Sequence, residues 1–251
     1  MLEILLRRFV NYRNTCPINN IEDKSVTFIR DEKYLPLLRD IKEDIILIAH
    51  KRMESKIREY QEAYCPTVNA YYTDYPEYEF TIYHNCINKS RQKSCPNIGN
   101  NCNIHPSVII GVDGMKVVNT PNGEKINFIH TGHVLILDNV NIGAYTVIHR
   151  GTMGITIIKE GCNIGSLCNI GHNCSIGTYN ILAANVVFSG GVFTGSNCWF
   201  GSGSIVKHKV TITDNVVVGM GAVVTKDIKK SGVYVGNPAR FLKEHEEGWN
   251  F

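Results

Sequence analysis

The chain has 251 residues, of which 43% are apolar and 20% are charged, a composition that is ordinary for a soluble globular protein. Its formal net charge is +3, and only LLRR and KDIKK are tight basic groups, so nucleic-acid binding is not expected. No apolar run approaches the ~18 residues of a membrane helix and no signal peptide is evident, so we expect a cytoplasmic protein without membrane insertion, whose nine cysteines are not paired in disulfides.

Residues 1–94 carry no repeat and are predicted to form a small α/β domain. VTFI and DIILIA are predicted as short strands, and EKYLPLLRDI and KRMESKIREYQEAY as helical segments. The stretch that follows, VNAYYTDYPEYEFTIYHN, is aromatic-rich and polar, and no element is predicted there.

A six-residue repeat follows this region and decides the predicted fold. Steps of six from Ile158 to Val224 meet an apolar residue, here called an anchor, at eleven of twelve positions. A small residue, often a glycine such as Gly165, comes one position later, and a small or β-branched residue four positions later. A period of six is typical of the hexapeptide β-helix, in which three short strands form each triangular coil. We expect the anchor and the fourth residue to point inward, and the glycines to relax corners that need positive φ.

The repeat is interrupted upstream and ends before the C-terminus. Anchors at positions 98, 104 and 110 precede a break, anchors at 136, 142 and 148 resume the period, and RGTMG then inserts four residues. We predict a β-helix domain over 95–231 and a closing segment over 232–251. The loop inserted at 111–133 is a candidate binding loop, because long insertions at solenoid corners often carry function.

The segment CNIGHNCSIG, residues 168–177, allows either a metal site or a catalytic base. Cys168 and Cys174 fall on the inward position, where cysteine behaves as a small hydrophobe. His172 lies two residues after an anchor, at an outward-facing corner, so the three side chains cannot converge on one tetrahedral ion. We therefore predict no metal in this segment.

His172 is instead a candidate general base, since imidazole exchanges protons near neutral pH. Gly190 lies 18 residues later, one coil above, and its N–H can approach an oxyanion closely. His208 projects from the same corner two coils away from His172. The alternative is that both histidines are solvated surface residues and that SGG only relaxes a corner.

These residues resemble the left-handed β-helix acyltransferases, in two branches. The UDP-3-O-acylglucosamine N-acyltransferases of lipid A synthesis are similar through VTFIRDEKYLPLL, residues 111–154 and NIGHNCSIG. The nucleotide-amino-sugar N-acetyltransferases are similar through GHNCSIG, FSGG, GMGAVVTKDI and GVYVGNPAR. The resemblance implies a mainly β fold built on a left-handed parallel β-helix, with the small N-terminal α/β domain and the short C-terminal segment, assembled as a homotrimer.

The resemblance also implies the site residues. His172 would be the general base and Gly190 would line the oxyanion hole. Around them, it implies an acceptor site and a donor site: Phe28 and Tyr34 on the uracil ring, Asn169, Asn173 and His208 near the substrate, and Ser189, Gly191, Ala222, Lys226 and Arg240 along acyl-CoA.

We expect an N-acyltransferase of surface-polysaccharide synthesis that moves a short acyl group, most simply acetyl, from CoA to a UDP- or dTDP-linked amino sugar, without a metal. The small number of coils and the chain end soon after NPAR favour CoA and a short acyl group. The alternatives are a lipid A acyltransferase that uses acyl carrier protein, a zinc lyase of the gamma carbonic anhydrase kind with His149, His172 and His208 as inter-subunit ligands, and a non-catalytic scaffold.

Overall fold

The computed structural model describes residues 14–17, 21–89 and 95–244. The chain divides into two compact units, the first made of Met1–Gln92 and Met115–Ile129, the second of Lys93–Gly114 and His130–Phe251. No helix within the described ranges is long and apolar enough to cross a membrane.

The first unit contains a parallel four-stranded sheet in the order β1-β2-β3-β4. Its elements are β1 (Asn14–Thr15), β2 (Ser25–Ile29), a 3-10 helix (Glu32–Leu38), β3 (Ile45–His50), a 3-10 helix (Lys51–Met53), α1 (Glu54–Ala63), β4 (Val68–Thr73) and α2 (Pro76–Asn88). β3 is apolar and buried from Ile45 to Ala49, as expected for a central parallel strand, and ends at half-buried His50. The two predicted strands and the two predicted helical segments are confirmed.

The aromatic stretch that received no prediction forms β4 and α2. In β4 the tyrosines Tyr71 and Tyr72 are only half-buried, so the strand lacks the apolar alternation that would reveal it. α2 begins at Pro76, a favoured first helical residue, and its buried face includes Phe80 and Tyr83. Aromatic and polar residues alternate there without a clear helical period.

The placement of the inserted loop in the β-helix domain is only partly correct. Residues 115–129 form an antiparallel hairpin, Val117–Asn119 with Lys125–Asn127, and belong to the first unit. Asn85 of α2 donates to the Asn127 carbonyl and accepts from the Ile129 N–H. Phe128 stacks on His84 with ring centroids 4.2 Å apart, so both polar and aromatic contacts hold the hairpin.

The second unit is the predicted left-handed parallel β-helix, and the mainly β class is confirmed. Its strands form three parallel faces. Face 1 contains Asn97–Ile98, His133–Ile136, Ile155–Ile158, Ser175–Ile176, Phe193–Thr194 and Thr211–Ile212; face 2 contains Asn103–Ile104, Asn141–Ile142, Asn163–Ile164, Ile181–Leu182, Trp199–Phe200, Val216–Val218, Gly232–Val235 and Arg240–Lys243; face 3 contains Ile109–Val112, Val147–His149, Asn169–Ile170, Val187–Phe188, Ile205–Val206 and Val223–Val224.

The closing segment predicted over 232–251 is not separate from the coils. Gly232–Val235 pairs in parallel with Val216–Val218 and continues face 2, and Arg240–Lys243 then covers it in the antiparallel sense. The six-residue motif ends before Gly232, but backbone hydrogen bonding between strands adds one more strand without it.

Four corner positions, numbered 1 to 4, follow each anchor, and position 3 carries the strained backbone. This position has positive φ at Asn173 (60°), Tyr179 (55°), Asn185 (62°) and Gly191 (73°). The explanation of the position 1 glycines by positive φ is therefore wrong. A Cβ at Gly177, for example, would lie 2.1 Å from the Gly195 carbonyl oxygen, so glycine at position 1 permits the next coil to pack closely.

The interior follows the predicted register. Anchors such as Ile170 and Phe188 have no exposed surface, and Cys162, Cys168, Cys174 and Cys198 are buried at position 4. Each of these four thiols donates to a carbonyl oxygen 15 residues later, at 3.0, 3.1, 3.2 and 3.3 Å respectively. The cysteines therefore fill the interior and also link consecutive coils.

The inward–outward alternation can be tested with two phenylalanines five residues apart. Phe188 is fully buried, whereas Phe193 is 53% exposed on face 1. Phe188→Ala is expected to lower the free energy of unfolding by about 3–5 kcal/mol because it leaves a cavity. Phe193→Ala is expected to lower it by less than about 1 kcal/mol. Denaturant titration measures both, and equal losses would contradict the register.

The buried thiols predict a loss of stability at alkaline pH. Burial raises the pKa of Cys162 and Cys198 to about 11 and that of Cys174 to about 12, from an ordinary value of 9.0. The pKa of these thiols is higher in the folded state than in the unfolded state. Their contribution to the free energy of unfolding is therefore complete below pH 9.0 and is lost as the pH rises toward 11.

Cys162→Val introduces the residue type that occupies equivalent inward positions, such as Val186. This substitution is expected to weaken the pH dependence of the free energy of unfolding. The slope of the unfolding free energy against pH should fall by up to about 1.4 kcal/mol per pH unit above the ordinary thiol pKa. Urea titrations at several alkaline pH values measure it, and an unchanged slope would show that Cys162 ionises as readily in the folded state as in the unfolded state.

Candidate active site

Position 2 of the corner between faces 3 and 1 forms a column along the β-helix. The strand register stacks Ile148, Ile170, Phe188, Val206 and Val224, and the residues two positions later are therefore Arg150, His172, Gly190, His208 and Lys226. We call these five residues the corner column. Successive members are separated by one coil, about 4.8 Å.

Asn173 fixes the tautomer of His172. The Asn173 Oδ1 accepts from the Thr152 N–H and from the Thr152 hydroxyl, each at 3.0 Å. A backbone N–H can only donate, so the amide oxygen, not the nitrogen, faces Thr152. His172 Nδ1 lies 3.0 Å from the same oxygen and must donate to it. The neutral imidazole therefore carries its proton on Nδ1 and keeps the Nε2 lone pair available as a base.

Gly190 lies directly against this Nε2. A Cβ at Gly190 would be 2.5 Å from His172 Nε2, so no other residue fits here without moving the imidazole. In the described part of the chain, no acceptor takes the Gly190 N–H, although its neighbour Gly191 donates to the His172 carbonyl at 2.7 Å. The predicted base and the predicted donor are therefore adjacent.

Two other corners show what the position 2 N–H can bind. The N–H groups of Ser196 and Asn100, both at position 2, donate at 2.7 Å to the carboxylate oxygens of Asp214 and Asp138. In each case the aspartate lies at position 2 of the next coil, above a position 1 glycine. This fold thus presents the position 2 N–H outward, where an oxygen anion can reach it.

The insertions supply the other walls around His172. A Cβ at Gly114 would lie 2.9 Å from His172 Cδ2, and the His130 ring meets that of His172 edge-on with centroids 5.8 Å apart. Buried Arg150 holds the segment before Gly114: its Nε donates to the Gly111 carbonyl at 2.6 Å and lies 3.4 Å from the Asp113 carboxylate.

The remaining residues predicted near His172 occupy different places. Ser189 and Gly191 flank Gly190 at the corner. His208 is exposed and lies two coils from His172, with Gly190 between them, so the two imidazoles do not meet. Asn169 is half-buried on face 3 between Val147 and Val187 and points away from the interior.

The prediction that Ala222 binds cofactor is wrong for its side chain. Ala222 lies at position 4 and is fully buried inside the prism, because this position always points inward. Lys226 and Arg240 are brought together instead. Both line a cavity of about 320 Å³ at the C-terminal end of the β-helix, with Tyr234 and Phe241 among its apolar walls.

Phe28 and Tyr34 lie in the first unit and do not form a ring pair. The Phe28 ring packs on Phe80 with centroids 4.7 Å apart, and the Lys116 ammonium lies 5.9 Å from its centre. Tyr34 packs on the apolar core around Ile29 and Leu35. Stacking of both rings on one base therefore stays a prediction.

Sequence reasoning missed Gly114, His130, Thr152 and the role of Arg150. These residues lie in or beside the two interruptions of the repeat, at 111–133 and 151–154, where the six-residue period no longer assigns a direction to a side chain. The available signal was that both interruptions occur in the coils just before His172.

An imidazole with a free Nε2 beside an outward N–H donor can serve acyl transfer. The base removes a proton from an attacking nucleophile, and the N–H stabilises the oxyanion that forms on the carbonyl.

Comparison with known proteins agrees with this geometry. A model of the bacterial transferase hexapeptide (six repeats) matches residues 191–226. The chain is 38% identical over 139 residues to a UDP-3-O-acylglucosamine N-acyltransferase of Herminiimonas arsenicoxydans, covering 55% of this chain and 39% of the relative. It is 39% identical over 150 residues to the enzyme of the same name from Rhizobium meliloti, covering 60% and 42%.

A crystal structure of UDP-N-acetylglucosamine O-acyltransferase from Moraxella catarrhalis RH4 superposes with a TM-score of 0.53 at 28% identity, over 61% of this chain and 58% of that chain. The resemblance to left-handed β-helix acyltransferases is therefore confirmed. The chain spans less than half the length of the two curated relatives.

The expectation of a CoA-dependent acetyltransferase for amino sugars of surface polysaccharides is wrong. The relatives carry the name of the lipid A branch, which was the alternative. The expectation was based on the number of coils and on the position of the chain end. Neither feature identifies the acyl donor, because neither describes residues that would contact it.

The assignment of the His172 tautomer can be tested without substrate. Asn173→Gly removes the amide while tolerating the positive φ, and Asn173→Asp keeps an acceptor oxygen. The imidazole ¹⁵N shifts should report Nδ1–H in the natural protein and in the aspartate variant, and a mixture of tautomers in the glycine variant. Asn185→Gly, at the same corner position away from His172, is the control. A pure Nδ1–H tautomer in Asn173→Gly would contradict the role of Asn173.

Proposed function

We propose that the chain is an N-acyltransferase that moves an acyl group from the thioester of acyl carrier protein to the amine of a UDP-linked 3-O-acylglucosamine. The contact of His172 Nε2 with Gly190 carries the proposal, because it joins a base and an oxyanion donor at one corner. The names of the relatives supply the acceptor.

In the first half of the reaction, the neutral amine attacks the thioester carbonyl carbon. A carbon–nitrogen bond forms, and the carbonyl electron pair moves to oxygen, where the Gly190 N–H donates to it. His172 Nε2 takes the proton that the nitrogen loses. The Nδ1–H donated to Asn173 stabilises the resulting imidazolium.

In the second half, the tetrahedral intermediate collapses. The carbon–sulfur bond breaks, the oxyanion re-forms the carbonyl, and the thiolate takes the proton from imidazolium His172. The products are an amide on the sugar and the free thiol of the carrier, and the imidazole returns to its starting tautomer without any redox step.

The corner column suggests the direction in which the acyl donor lies along the β-helix. Exposed Lys207, His208 and Lys209 form the next turn beyond Gly190, and Lys226 follows one coil later. We infer that the phosphopantetheine arm lies along Ser189 and Gly191, with its phosphate near these lysines and Arg240. His208 then lies beside the arm, and Asn169 and Asn173 lie on the acceptor side.

We infer that Phe28 and Tyr34 of the first unit take the uracil ring of the acceptor. Phe28 is half-buried on an aromatic cluster with a lysine ammonium close by, an environment suited to stacking a flat ring that carries phosphates.

A homotrimer is the assembly we propose. The outward column of face 3 contains exposed Ile109 and Ile205, aligned with Val147, Val187 and Val223, and its one polar member is Asn169, between Val147 and Val187. Such an apolar ridge is suited to burial against a second prism, which would wall the groove at His172.

The proposal predicts a large loss on removal of the base. His172→Ala should lower kcat/KM with UDP-3-O-acylglucosamine and acyl carrier protein thioester by about 10²- to 10⁴-fold. His105→Ala, an exposed histidine of the same β-helix, should change it by less than about twofold. Steady-state assays measure both, and near-full activity of His172→Ala would overturn the mechanism. A higher kcat/KM with the same acyl group on CoA would overturn the carrier-protein donor.

A further inference from the structure

The Ser189–Gly190 peptide group is held from inside the β-helix. The Cys174 thiol donates to the Ser189 carbonyl oxygen at 3.2 Å, and no other donor to this oxygen occurs in the described part of the chain. The opposite end of the same peptide group is the Gly190 N–H beside His172. We propose that Cys174 is a positioning residue that orients this peptide so that its N–H faces the reacting carbonyl, an inference that rests on the proposed function.

Other corners show what happens when no interior donor is present. At the corners that begin at Gly201 and Lys207, the position 1 carbonyl accepts instead from the position 4 N–H of its own corner, at 3.0 and 3.4 Å. In both, the interior residue 15 positions earlier is a valine, Val186 or Val192, which has no donor.

The corner that begins at Gly219 has the same internal bond, from the Ala222 N–H at 3.2 Å. The interior residue there is Ser204, whose buried hydroxyl has no hydrogen-bond partner in the described part of the chain. The internal bond therefore forms wherever the interior side chain does not donate to the position 1 carbonyl, and a serine at this position does not reach it.

The corner 189–192 lacks this internal bond among its described contacts, since the Ser189 carbonyl turns toward the thiol. Replacing Cys174 by valine should therefore convert this corner to the geometry seen at Lys207. Because a peptide group is planar, a carbonyl that turns toward the Val192 N–H takes the Gly190 N–H with it.

Among the described contacts, the Cys174 thiol sets the plane of the Ser189–Gly190 peptide group, because the other hydrogen bonds fix the neighbouring peptide groups. The Ser189 N–H donates to the Val206 carbonyl and the Gly190 carbonyl accepts from the Lys209 N–H, both at 3.0 Å, which fixes the neighbouring peptides. Cys174 is fully buried, and burial raises its pKa to about 12, so the thiol stays protonated and remains a donor at physiological pH. A donor on the carbonyl also strengthens the N–H of the same peptide.

The test compares Cys174→Val, Cys174→Thr and Cys168→Val. Cys168 makes the same contact, to the Ala183 carbonyl at 3.1 Å, at a corner away from His172, and is therefore the matched control. Cys174→Val should lower kcat by about five- to tenfold and leave KM for both substrates within about twofold. Cys174→Thr should keep kcat near that of the natural protein, because Thr146, at the same inward position of an earlier coil, donates to the position 1 carbonyl of the next coil at 2.8 Å. Cys168→Val should also keep kcat near that of the natural protein.

A second measurement reads the geometry without turnover. The amide ¹H shift and exchange rate of Gly190, in ¹⁵N-glycine-labelled protein, should change in Cys174→Val and return to the natural values in Cys174→Thr. If Cys174→Val does not fold, Cys174→Ala is read in the same two measurements.

Three results would overturn the proposal: a kcat for Cys174→Val equal to that of Cys168→Val, a Cys174→Thr variant as slow as Cys174→Val, or an unchanged Gly190 amide. If the natural protein does not turn over these substrates, the proposed function fails. The amide measurement still decides whether Cys174 orients the peptide.

Discussion

Backbone hydrogen bonding between successive coils is the constraint on which the rest of the structure depends. In the regular part of the β-helix each strand pairs with the strand 18 residues later, as Ile170 pairs with Phe188. Backbone hydrogen bonds therefore align each corner residue with its counterpart in the next coil. His172 and Gly190, the proposed base and the proposed oxyanion donor, are brought together by this backbone ladder.

The same periodicity explains why much of the fold could be predicted. A repeat of six fixes which residues point inward, so the sequence alone places Cys168 and Cys174 in the interior and His172 at a corner. The cause of the corner geometry was harder to predict. Asparagine recurs at position 3, at Asn173, Asn185, Asn197 and Asn215, and tolerates the left-handed conformation found there. Glycine is more frequent at position 1, but there its role is to let the next coil pack closely and not to adopt positive φ.

The irregular coils could not be predicted because they have no period. The step between stacked strands is 38 residues from Ile98 to Ile136 and 22 from Ile136 to Ile158, before it settles at 18. The extra residues of these two coils include Gly114, His130 and Thr152, which surround His172. The regular coils thus position His172, Asn173 and Gly190. The irregular coils supply Thr152, which orients the Asn173 amide, and the residues that enclose the imidazole ring.

The interior cysteines are distributed along the prism in a way that packing alone does not require. Valine fills position 4 at four later corners, at 186, 192, 210 and 216, but Cys162, Cys168 and Cys174 occupy all three corners of the coil that carries His172. Their thiols bind carbonyls at the three corners of the next coil, the one that carries Gly190. The junction between the coils that carry His172 and Gly190 is therefore linked at every corner by a side-chain hydrogen bond in addition to the backbone ladder. A valine of similar size would fill the same space and leave the carbonyl free to turn, so the difference between the two residues lies in the orientation of the peptide group and not in the packing.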